Sequence, residues 1–224
     1  QNMNSTTRLI FIALGSALVS AGCFSGAYKL ATSNDSGSSE IISRELPWDD
    51  STSLNLEVRS VVRYVQAPGT GKVVARGPHR SVSTLVVGNG DIRDELLHSG
   101  ATLEIVVTAP AISHFHLNGG SRLSIEGYDQ PSLFVSTEGK AHVGASGRVE
   151  NVTVNMQGSG TVNLAKLAIG NASVDIGGMS TLVLAPMKGA NLKVRNYASA
   201  VLLSRPLELT SSLEDSGRVI DAVP

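Results

Sequence analysis

Residues 151–170 read NVTVNMQGSGTVNLAKLAIG, and residues 171–190 read NASVDIGGMSTLVLAPMKGA. Apolar side chains alternate with polar ones at Val152, Val154 and Met156, at Ala172, Val174 and Ile176, and again at Val162-Leu164 and Leu182-Leu184. A period of two is that of a strand with one face buried, and a helix would need 3.6. Between the two alternating runs of each segment lies a corner of small residues, Gly158-Ser159-Gly160 in one and Gly177-Gly178 in the other. Self-similarity at a fixed period is the mark of a stacked repeat.

The pattern extends outward from this pair to residues 113–211. Phe115, Val135, Val154, Val174 and Val194 form one column at a spacing of 19 or 20 residues. Leu123, Val143, Val162, Leu182 and Leu202 form a second, with Gly119-Gly120, Gly139 and Ala198-Ser199-Ala200 completing the corners. A third column holds Asn151, Asn171 and Asn191, with Pro131 before and Ser211 after. Leu167-Ile169 and Leu207-Leu209 are short enough to supply a third strand per unit. One such unit cannot bury its own apolar face, whereas coils stacked about 4.8 Å apart can, and five of them stand about 24 Å tall. The expected fold is all-β: a single-stranded parallel β-helix of about five coils of 19–20 residues, with an irregular β cap at its N-terminal end.

The two special columns have structural explanations. Glycine at a corner supplies positive φ or close backbone approach, which assigns Gly119, Gly120, Gly139, Gly158, Gly160, Gly177 and Gly178 to the turns. Asparagine tolerates the left-handed conformation, and stacked amides bond to one another, so Asn151, Asn171 and Asn191 are expected to form a ladder.

Composition agrees. Of 224 residues 42% are hydrophobic but only 4% aromatic, with 23 glycines, which suits a narrow interior of Val, Leu, Ile and Ala. A net charge of -1 supplies no field for nucleic acid. One cysteine excludes an intrachain disulfide and a cysteine zinc site. Residues 1–30 read as a targeting or anchoring segment, since Arg8 precedes an uncharged run from Leu9 to Tyr28. Three readings fit it: an uncleaved anchor through residues 9–28, a lipoprotein cut before Cys23, and a signal peptide cleaved after Ala21. Each carries the domain across a membrane. Residues 31–40 are a polar tether, residues 41–110 the β-rich cap region, residues 111–211 the repeats, and residues 212–224 a tail expected to cover the far end.

Here the residues resemble a known family. Arg44-Glu45-Leu46-Pro47-Trp48-Asp49, then Val62-Arg63-Tyr64-Val65, then Leu103 to Pro110, followed by Gly-Ser-Gly corners with Val or Leu behind them, are similar to the bacterial autotransporter-adhesin head domain named the GIN domain, over about residues 41–210. The resemblance implies a β-helical domain, secreted or held at the envelope of Gram-negative bacteria, with no catalytic residues attached.

Motifs of chemistry fail on inspection. Pro68-Gly69-Thr70-Gly71-Lys72 lacks the first glycine of a phosphate loop and has Val73 where Ser or Thr is needed, so it reads as a hairpin turn. Gly88-Asn89-Gly90 reads as a turn too. The corners lack the aspartates of calcium-binding solenoids. His114 and His116 flank inward-pointing Phe115 and share an outer face about 6–7 Å apart, with His142 one coil on, but no third ligand is placed beside them. Outer charges at Glu126, Glu138, Lys140, Arg148, Asp175, Lys193 and Arg195 are scattered, and no inserted loop walls a cleft. Trp48 is expected to pack the cap, and Tyr197 to be exposed. No enzyme, metal or cofactor is expected. The expected role is binding of an envelope glycan or protein, with a self-associating scaffold as the alternative and a polysaccharide-acting enzyme as the weaker third.

Overall fold

The computed structural model describes residues 40–95 and 102–223. The run of residues 9–28 and His98 lie outside them. In chain order the elements are β1 (Ile41–Pro47), β2 (Ser53–Leu56), β3 (Ser60–Gln66), β4 (Lys72–Pro78), the one-turn α1 (His79–Ser83), β5 (Leu85–Gly88), β6 (Asp91–Asp94) and β7 (Leu103–Ala109). They continue with β8 (His114–Gly119), β9 (Arg122–Gly139), β10 (His142–Gly158), β11 (Thr161–Ile176), β12 (Thr181–Leu184), β13 (Pro186–Val194), β14 (Ser199–Leu202), β15 (Glu208–Leu213) and β16 (Arg218–Asp221). From β8 on, neighbouring strands pair in parallel and wind a β-solenoid of about five turns.

Two sheets carry the core. In the first, Leu54, Phe115, Val135, Val154, Val174 and Leu192 stand in register on successive coils. In the second, Val62, Leu123, Val143, Val162, Leu182 and Ala200 do so. All are buried. Each fully buried Val, Leu or Phe contributes on the order of 1.5–3 kcal/mol, so identical strands stacked in register form one continuous apolar column. Tyr64 packs against Phe115 with ring centroids 5.2 Å apart, and its hydroxyl donates to the Ala109 carbonyl at 3.1 Å.

The N-terminal region is more regular than composition suggests. β2 and β3 form an in-register coil of the same solenoid, parallel to β8 and β9. Only beyond them does the winding stop: β7 pairs β3 in parallel, β4 pairs β7 antiparallel, and β1 pairs β4 antiparallel. Residues 68–72 therefore do not close a hairpin, since β7 lies between β3 and β4. Residues 88–91 do close one, between β5 and β6, with Asn89 and Gly90 at φ 54° and 79°. Trp48 is buried in this cap, and its indole N–H donates to the Ser51 carbonyl at 3.0 Å.

Spacing departs from 19 or 20 residues in one coil. Asn163 pairs with Val183 and Ile169 with Pro186, so the third side is three residues shorter there; a bulge between Pro186 and Gly189 restores one, leaving an 18-residue coil. Pro186 is the first residue of β13, a strand-start position that tolerates the missing N–H. Everything after it shifts by two. Gly189, not Asn191, stands beside Asn171, and Asn191 stands beside Ser173. Val194 pairs with Ile176 and Leu202 with Leu184. The ladder of three asparagines is thus a pair, in which the Asn171 amide donates to Asn151 Oδ1 at 3.1 Å.

The corner column is seen in the backbone. Gly119, Gly139, Gly158, Gly178, Asn196 and Asp215 follow one another at positive φ. Ala198 to Ala200 lie in or next to β14 and form no corner. Gly120 has neither positive φ nor a close neighbour. Finally, the tail does not fold across the end. β15 pairs with β13 and β16 with β14, continuing the helix. Leu209 therefore belongs to the first sheet rather than a third strand, and Leu207 is 88% exposed.

Candidate functional site

The outer faces of the two sheets are rows of side chains one strand spacing apart. On the first sheet one row runs His114, Phe134, Thr153, Ser173, and the next His116, Ser136, Asn155, Asp175. His114 stacks on Phe134 with centroids 4.3 Å apart and ring planes within 3°, and its Nδ1 lies 3.0 Å from Ser113 Oγ. His116 is one position off this stack, beside Ser136. Among the described residues the side chains of His116, Ser136, Asn155, Thr153 and Ser173 make no hydrogen bond within the chain, so this polar face keeps its donors and acceptors for solvent or a ligand.

On the second sheet the rows are Val61, Arg122, His142, Thr161, Thr181 and Arg63, Ser124, Gly144, Asn163, Val183. Because Gly144 has no side chain, the surface dips between Ser124 and Asn163. The dip is a shallow open depression of about 350 Å³ with a mostly apolar floor, edged by Arg122, His142 and Asn163. No carboxylate or thiol lines it, so the acid and base of a hydrolase are not paired there.

Charges elsewhere are largely consumed between coils. Arg148 binds Asp129 bidentately at 2.7 and 2.8 Å, Arg195 binds Asp175 at 2.5 Å, Lys188 binds Glu150 at 2.7 Å, and Lys193 lies 3.6 Å from Glu214. The Arg148 guanidinium holds the Asp129 carboxyl below the usual carboxylate range. Arg63 on the second face pairs with Glu126 at 2.7 Å. Arg122, beside it, has no ion-pair partner among the described residues.

The sequence-derived residues thus separate. Asn151 and Asn171 come together, Asn191 does not. The corner glycines Gly119, Gly139, Gly158 and Gly178 line one edge, while Gly160 and Gly177 sit beside it. His114, His116 and His142 do not converge, and the described residues contain no group of three His, Cys, Asp or Glu able to hold a metal. Tyr197 is 67% exposed, with Met179 one coil below it at the corner. The depression around Arg122 and Gly144 was not singled out by sequence reasoning. Its signal was present: Gly144 lies one residue past Val143 on a strand, where the register supplies Ser124 and Asn163.

Several solved structures share this fold. A protein described as a "putative adhesin" from Bacteroides fragilis aligns at TM-score 0.65 and 14% identity over 81% of this chain and 97% of that one. A "putative adhesin" from Parabacteroides merdae aligns at 0.53 and 10% over 83% and 98%. A "putative lipid binding protein" from Parabacteroides distasonis aligns at 0.50 and 12% over 81% and 97%. None of these or the family is named as an enzyme. No curated protein matches the sequence significantly. No helix among the described residues is long and apolar enough to cross a membrane. The family profile described as "Putative auto-transporter adhesin, head GIN domain" matches residues 92–206, more than half of the 224, and the chain belongs to that family.

Proposed function

We propose that this chain is a non-catalytic binding module of the cell envelope, tethered through residues 9–28 and facing the periplasm or the exterior, whose outer sheet faces recognise an extended glycan or protein. The observation that carries this reading is the polar first face, where Ser136 and Asn155, and Thr153 and Ser173, repeat at one strand spacing with no partners inside the chain. Repeated donors and acceptors on a rigid solenoid suit a ligand that itself repeats or extends. The adhesin naming of the family supports an envelope or surface location. Screening the whole chain against an array of envelope glycans and against envelope proteins is expected to find weak binding spread over one face, reduced by Asn155→Ala combined with Ser173→Ala. Absence of any ligand in both screens removes the reading.

A second reading, a self-associating scaffold, is favoured by the last coil. Leu209 and Leu213 occupy interior-column positions beside Ala190 and Val194, yet both are about half exposed. An open sheet edge over apolar side chains is a template for pairing. Light scattering across concentration separates the two: growing assemblies that Leu209→Asp with Leu213→Asp disperses support the scaffold, and monomers at every concentration support the binding module.

A further inference from the structure

The depression on the second face is opened by a glycine inside a strand. Gly144 lies within β10, paired in register with Ser124 on one side and Asn163 on the other. Glycine in a strand costs roughly 0.5–1 kcal/mol relative to alanine and is tolerated where positive φ, a bulge or close approach demands it. None applies. Its φ is not positive, and a Cβ built there meets nothing within 4 Å. The bulge next in the strand is served by Gly147, at φ 123°, whose Cβ would press on the Tyr128 backbone. The open space over Gly144 leaves its backbone accessible to a ligand.

We infer that the Gly144 depression is a subsite for a linear glycan carrying ring carboxylates, held by Arg122 with His142 and Asn163 at its edges. Arg122 has no carboxylate partner among the described residues, while its neighbour Arg63 is neutralised by Glu126. An unpaired guanidinium beside an apolar floor matches a sugar ring that presents C–H groups below and a carboxylate at its side. Thr161 and Thr181 extend the row of hydroxyls along the face, so consecutive sugars find donors and acceptors at one strand spacing. The openness of the depression favours a flat chain of sugars over an inserted acyl tail. This inference rests on the reading of the chain as a binding module and adds, on the second face, a subsite separate from the polar first face.

The test is titration of the whole chain with oligomers of galacturonate, mannuronate and glucuronate, and with their methyl esters, which keep the ring and remove the charge. At least one acid oligomer is expected to bind, with its ester roughly tenfold or more weaker, since a charge-assisted bond is lost. Gly144→Val should abolish binding with the thermal midpoint unchanged, because the space is empty, and Arg122→Gln should weaken it roughly tenfold. Lys166→Ala, an exposed position on the third side, should leave it unaltered. Equal affinity of Gly144→Val and Arg122→Gln for the acid oligomers overturns the subsite but leaves binding on another face, and with it the general reading. Failure of all three oligomers also overturns it, as does Arg122-dependent binding to anionic phospholipid vesicles without glycan binding. Silence in the wider envelope screen as well removes both.

Discussion

Glycines that look alike in the corners of the repeat do different work. Gly158 has φ 109°, and a Cβ there would lie 2.5 Å from the Gly139 carbonyl oxygen. Gly120, on the first corner, has open space and an ordinary φ. Gly158→Ala is therefore expected to cost on the order of 1–3 kcal/mol or more by urea unfolding, and Gly120→Ala to stay within about 0.5 kcal/mol; equal effects would mean that the corner does not impose its conformation. Thr137 offers the opposite kind of change. It sits in the first sheet's column between Leu117 and Met156, 2% exposed, and its hydroxyl has no partner. A buried unsatisfied hydroxyl costs about 1–3 kcal/mol, so the isosteric Thr137→Val is expected to raise stability by about 1 kcal/mol, and a loss would reveal a partner for the hydroxyl. The positive-φ corner at Gly119, Gly139, Gly158 and Gly178 was legible because glycine favours that conformation, whereas Gly120, Gly160 and Gly177 have no positive φ. Asn196 and Asp215 were not legible, since asparagine and aspartate occupy that conformation but also many others.

At the scale of elements, strands were readable and their register was not entirely so. Alternation places a side chain in or out, but nothing in the alternation of Leu182-Leu184 or Leu192-Val194 says which partner each meets. A shift of two preserves facing. That is why Val194 and Leu202 could be assigned to the wrong rows of the right columns, and why Asn191 was carried into a ladder it does not join. Pro186 was the available clue, since proline in a sheet is confined to a strand start, an edge or a bulge and so marks where regular pairing is interrupted. Across coils the third side is tied by ion pairs such as Asp129 with Arg148, whose register is direct. The carboxyl of Asp129 is lowered first by the hydrogen bond from Arg148. A depressed carboxyl contributes stability that is present above its unfolded value and lost as pH falls through the folded one. Both side chains are more than half exposed, so the stability change is small, and the sharper readout is the titration itself. In Arg148→Gln the Asp129 carboxyl is expected to rise toward the ordinary range by NMR, and an unmoved titration would mean that the pair is not formed in solution.

For the whole molecule, the sequence made the solenoid plain because its period repeats, and left the ends obscure because each end occurs once. The cap region contains an in-register coil, β2 and β3, separated from the repeats by some 50 residues, a distance at which periodicity is invisible. The tail read as a lid because it is polar and ends the repeats, yet it is one more coil. This asymmetry has an energetic consequence. In a stacked repeat each coil gains stability only from its neighbours. β3 and β8 lie between other strands, whereas β15 and β16 have partners on one side alone among the described residues. Opening should therefore begin at β15 and β16 and pass inward, with amide exchange fastest there, slower in β13 and β14, and slowest in β9 and β10. Leu192→Ala, which removes a fully buried side chain beneath β15, should speed exchange in β13 through β16 and leave β9 unchanged. Uniform acceleration over all strands would sink this, because it would mean that the solenoid opens as one unit and that its stability does not propagate coil by coil.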